Sequence, residues 1–82
     1  MQKPKKLSYK DQRDLDLLPA RIEELEAEIA RDEAALSDPD LYSRDHGLFE
    51  RLTQAVEAAR AERDAAEERW LELAEKAEAL AG

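Results

Sequence analysis

Apolar positions recur along this chain at alternating intervals of three and four residues, in two runs separated by a polar stretch. The first run is Leu15, Leu18, Ile22, Leu25, Ile29 and Leu36, interrupted only by Asp32. The second is Phe49, Leu52, Val56, Ala59, Arg63, Ala66, Trp70, Leu73, Ala77 and Leu80, unbroken in spacing, with Arg63 its single charged member. A 3-4 alternation follows one side of an α-helix and marks a coiled-coil seam. Ser37-Asp38-Pro39-Asp40 is a turn-forming cluster, and the stretch to Gly47 is too polar to continue the seam, so Leu41 and Tyr42 are expected to fold back over a tip. Ahead of the first run, Ser8 followed by Asp11 is a variant of the capping box and opens a helix. Pro19 lacks an amide hydrogen and disfavours helical backbone at Leu18, so this first helix is predicted to stop or kink there, with Pro19 opening the next. The expected organisation is all-α: a flexible basic linker over 1–7, then an antiparallel two-helix coiled-coil hairpin over 8–82. Within the hairpin a short N-terminal helix spans 8–17, the first coiled-coil helix 19–37, a turn 38–47 and the second coiled-coil helix 48–81.

The two stripes fit one another. Antiparallel helices pair layers whose residue numbers keep a constant sum, and one register joins Leu36 with Leu52, Ile29 with Ala59, Ile22 with Ala66, Leu18 with Trp70 and Leu15 with Leu73. The same register sets Leu25 opposite Arg63 and Asp32 opposite Val56. Trp70 reads as a core anchor near the Pro19 kink, where the helices have room to splay. Arg63 reads as a register-setting residue that extends its head to solvent or to a glutamate of the facing helix. Leu17, Leu71 and Val56 form a secondary apolar stripe that could support self-association, although a monomer is expected.

Composition narrows the function. Eighty-two residues, 41% of them charged, with no cysteine, exclude a multilayered core and any disulfide or thiolate–zinc staple. No apolar run approaches the roughly 18 residues of a membrane span, and the basic start lacks a signal-peptide hydrophobic region, so a cytoplasmic location is expected. The net charge is −8, unevenly spread. Residues 1–13 hold Lys3, Lys5, Lys6, Lys10 and Arg13 against Asp11 alone, whereas the remainder holds eight basic side chains against twenty acids. Lys3, Lys5, Lys6, Lys10 and Arg13, with Tyr9 able to stack on a base, are the candidate nucleic-acid contacts; the plain counterpart is a solubilising linker. Catalysis is not expected. His46 stands in a polar turn with no second histidine and reads as a surface or capping residue rather than a metal ligand. The serines have no histidine base at a recognisable spacing, no glycine-rich phosphate loop is present, and the many glutamates read as exposed ion-pair partners.

The strings Lys5-Lys6-Leu7-Ser8-Tyr9-Lys10-Asp11-Gln12-Arg13-Asp14-Leu15, Leu18-Pro19-Ala20-Arg21-Ile22, Asp38-Pro39-Asp40-Leu41-Tyr42 and Arg69-Trp70-Leu71-Glu72-Leu73, in that order, resemble the C-terminal domain of Uup-type ABC-F proteins. These are ATP-binding cassette ATPases with two nucleotide-binding domains and no membrane domain. The resemblance covers nearly the whole chain. It implies a fragment of a longer ATPase, an antiparallel coiled coil with a short preceding helix, and contact with DNA or, as ABC-F proteins act on ribosomes, with ribosomal RNA. Lys5, Lys6, Lys10 and Arg13 match the basic start of the motif. ATP and magnesium belong to the implied parent, whose ATPase motifs this chain lacks; no cofactor is expected here. The leading expectation is an accessory module that binds nucleic acid weakly and electrostatically. Its rival is a structural hairpin that packs on the parent's nucleotide-binding domains or on the ribosome and regulates ATP turnover without touching nucleic acid.

Overall fold

The computed structural model describes residues 6–82 and contains three helices in the order α1 (Tyr9–Leu36), α2 (Leu41–Arg44) and α3 (His46–Ala81). The molecule is a rod of 65 × 17 × 14 Å. α1 and α3 lie antiparallel along its length, and α2 is a single turn at the tip. The all-α hairpin expected from the two stripes is the observed fold.

Ser8 caps α1: its Oγ accepts from the Asp11 amide at 3.2 Å, and its carbonyl accepts from the Gln12 amide. This satisfies helix-end donors that would otherwise face the chain unpaired. At the other end the Ser37 hydroxyl donates to the Ala34 carbonyl at 2.7 Å. Asp45 caps α3 by accepting from the Leu48 amide at 3.0 Å, so the helix begins two residues earlier than the polar turn suggested. Across the tip Asp38 accepts from the Asp40 amide and pairs with Arg44 at 3.0 Å. Leu41 is buried, and Tyr42 stands edge-on to Phe49 with ring centroids 5.2 Å apart.

The enclosed side chains are those of the seam. Leu25, Ile29, Val56 and Ala59 form the central cluster with Leu36 packed against it, and Ala66 and Leu73 continue it toward the open end. Leu25 and Leu73 are each only 1% exposed. Cross-helix ion pairs agree with the register: Arg21 meets Glu62 through two guanidinium nitrogens at 2.6 and 2.9 Å, and Arg60 meets Glu33. Arg63, opposite Leu25 in that register, keeps its head near solvent and pairs with neighbouring Asp64 at 3.2 Å instead of a facing glutamate.

Three expectations need correction. First, of the expected stop or kink at Leu18-Pro19 the stop is not found: the separate helices over 8–17 and 19–37 are one, α1 running from Tyr9 to Leu36 with Pro19 inside it. The proline deprives the Leu15 carbonyl of its helical donor, at a cost of about 3 kcal/mol. The unbroken α3 splints both sides of it, through Leu15 and Leu18 on one side, Ile22 and Leu25 on the other, and through the Asp14 and Arg21 ion pairs. Second, the linker stops short of residue 7. Leu7 is buried, sharing a depression with Gln12, Ala77 and Leu80, because an apolar side chain at the mouth of the hairpin finds the last turns of α3. Third, Val56 is in the core and adds nothing to a secondary stripe; Leu17 and Leu71 remain exposed.

Candidate nucleic-acid interface

The basic residues singled out in the sequence gather at the open end of the rod. Lys6 lies just ahead of the Ser8 cap, and Tyr9, Lys10 and Arg13 occupy the first turns of α1, where residues three and four apart share a face. All four are exposed, Tyr9 by 84%. Lys3 and Lys5 lie outside the described residues.

Along the start of α1 the cations keep their charge through the disposal of the acids interleaved with them. Asp11 and Asp14 are interleaved with the basic residues in sequence, yet both engage α3: Asp11 pairs with Lys76 at 2.7 Å and Arg69 at 3.0 Å, and Asp14 with Arg69 at 3.5 Å. The Asp11 side chain is 13% exposed, and the Lys76 ammonium, then the Arg69 guanidinium, hold its carboxyl below the usual aspartate range. Asp16 accepts from the Gln12 amide group at 2.9 Å. Lys6, Lys10 and Arg13 form no ion pair among the described residues, so their charges are free to meet an external anion. Neither Arg69 nor Lys76 was singled out in the sequence as a partner of these aspartates. Their partners are 55 to 65 residues away, and only the hairpin register could have matched them.

The remaining chemistry is sparse. His46 opens α3 as an exposed residue, its Nε2 3.4 Å from Glu50 and its ring against Tyr42. Among the described residues no group of three or more His, Asp or Glu side chains is arranged to hold a metal ion. None of the helices is long and apolar enough to cross a membrane. Trp70 is half-buried and lines an open groove, so it is less enclosed than a core anchor.

The sequence that folds into this hairpin has relatives. The chain belongs to the ABC transporter C-terminal domain family, whose model matches residues 6–75. Within that family its similarity runs to proteins called Uup, as the sequence strings indicated. It is 51% identical over 80 residues to the ATP-binding protein Uup of Caulobacter vibrioides, covering 98% of this chain and 13% of the relative. It is 40% identical over 82 residues to the ATP-binding protein Uup of Haemophilus influenzae, with 98% and 13% covered. An ATP-binding protein Uup-like of the same species is 42% identical over 76 residues, with 90% and 17% covered. The chain therefore spans less than one fifth of the length of these relatives. No solved structure matches it.

Proposed function

We propose that this hairpin is the C-terminal accessory domain of a soluble Uup-like ATPase and contributes weak, salt-sensitive contacts to the phosphate backbone of DNA or ribosomal RNA. Lys6, Lys10 and Arg13 are the described contacts, Lys5 and Lys3 extend them, and Tyr9 is placed to stack on an exposed base. The observation that carries this reading is the neutralisation of Asp11 and Asp14 from α3, beside three cations without an ion-pair partner among the described residues. The strongly acidic body keeps the affinity low and confines contact to the open end. ATP and magnesium would be held by other parts of the parent, and the active compartment would be the cytoplasm.

The test is a fluorescence-anisotropy titration of the chain with short labelled single- and double-stranded DNA and RNA, at low and physiological salt. The comparison is a variant with Lys5, Lys6, Lys10 and Arg13 replaced by alanine. Four phosphate contacts on duplex DNA give a slope of log affinity against log salt of about −3 to −4, and the variant should lose binding. Binding indifferent to salt, or retained in the variant, would sink the proposal. Absence of binding even at low salt would favour the rival, a hairpin that works through protein contacts alone.

A further inference from the structure

On one side of the rod, roughly a third of the way from the open end to the tip, Ile22, Trp70 and Leu71 line a shallow groove of about 440 Å³ between α1 and α3. The Pro19 ring also borders it, and three carboxylates, Glu23, Glu26 and Glu67, complete the lining. Leu71 is 54% exposed and Trp70 is half-buried, so the apolar floor is incompletely covered.

The charges around this floor differ from those of the cross-helix ion pairs. At three other flanking positions opposite charges meet across the helices, Arg21–Glu62, Asp14–Arg69 and Glu33–Arg60. One heptad from Glu33–Arg60 toward the open end, the corresponding residues are Glu26 and Glu67. A salt bridge has become a pair of like charges, and Glu23 adds a third. None of the three has an ion-pair partner among the described residues. Arg63, one turn before Glu67, turns to Asp64.

We infer that this groove is a docking site for a basic segment of a partner protein. An apolar floor with a tryptophan, ringed by uncompensated carboxylates, suits a side chain that is hydrocarbon along its stem and cationic at its head, which is lysine or arginine. The stem covers Ile22 and Trp70, the head is attracted by Glu26 and Glu67, and the indole adds a cation–π contribution. An adjacent apolar residue of the partner covers Leu71. Nucleic acid is excluded from the groove by its charge, so this site is separate from the Lys6, Lys10 and Arg13 face and stands whether or not that face binds phosphate.

Trp70 is the only tryptophan of the chain and therefore reports on the groove directly. The probe is a ten-residue peptide alternating lysine and leucine, followed through Trp70 fluorescence and its protection from acrylamide; the control peptide alternates glutamate and leucine. Saturable change is expected with the lysine peptide only. Glu26→Gln with Glu67→Gln should weaken it roughly tenfold, two exposed ion pairs being lost. Glu68→Gln with Glu75→Gln, which makes the same change in net charge away from the groove, should leave it within about twofold. Equal weakening in the two double variants would reduce the effect to bulk charge and overturn the proposal, as would an unresponsive Trp70. A Trp70 signal that changes with protein concentration without peptide would identify a second copy as the occupant, and would also overturn it.

Discussion

Replacing Pro19 by alanine should stabilise the hairpin, and by an amount large enough to be unmistakable. Pro19 lies inside the continuous α1, where it leaves the Leu15 carbonyl without its helical donor. Alanine restores that donor and is about 3 kcal/mol more favourable at an interior helix position. The ring is exposed, so its removal forfeits little burial. For a domain of this size each kcal/mol moves the melting temperature by about 4–8 °C, which predicts a rise of about 12–24 °C. Thermal melting followed by far-ultraviolet circular dichroism measures it, with a guanidinium titration to confirm that the midpoint moves at constant slope. The outcome discriminates sharply between two backbones. Were the chain to end one helix at Leu17 and start another at Pro19, the proline would occupy a favourable first-turn position, and its loss would be neutral or harmful. An unchanged or lowered melting temperature in Pro19→Ala would refute the continuous helix.

Two further perturbations probe the packing and the electrostatics. Leu25→Ala removes the most enclosed side chain of the central cluster and should cost about 2–5 kcal/mol, a large part of the stability of a small domain, whereas Leu17→Ala, at a 60% exposed position, should stay within about 0.5 kcal/mol; comparable losses in guanidinium unfolding would contradict the assigned core. The Asp11 carboxyl is held below its usual range in the fold by Lys76 and then Arg69, so its contribution is complete above the unfolded-state value and is lost as pH falls through the lower folded-state value. The stability advantage of the wild type over Asp11→Asn should therefore be constant from neutral pH to about pH 5 and close below about pH 4. The difference is the quantity to follow, because protonating the many other carboxylates relieves repulsion in both proteins alike. A gap that persists or widens in acid would show that Asp11 does not depend on its cations.

The seam was legible because its signal is repetitive. Leu25, Ile29, Val56, Ala59, Ala66 and Leu73 recur at the helical interval, and burial follows that interval position by position. The Ser8 cap was legible because its donor is three residues away. Pro19 was misread because its local rule is sound but weaker than the combined pull of the α3 contacts on either side, which no local window contains. Leu7 was misread for the opposite reason: a single apolar residue in a basic run has no periodicity, and only the returning helix gives it a surface to cover. The candidate interface was half legible. Lys6, Lys10 and Arg13 announce themselves as a cluster, but whether Asp11 and Asp14 cancel them depends on Arg69 and Lys76, which meet the aspartates only when the hairpin closes.

The rod is 65 Å long and 14–17 Å across, with α1 and α3 side by side along most of that length. A body joined to its open end that turns by about 10°, within the ordinary range of domain rotation, would sweep the far tip through about 11 Å. Leu7, tucked against the last turns of α3, and the Asp11 pairs with Arg69 and Lys76 tie the two helices together at that end, so the hairpin moves as one lever. Displacements of a few ångström near the pivot would thus reach Tyr42 and Phe49 as a stroke several times larger, delivered by geometry alone.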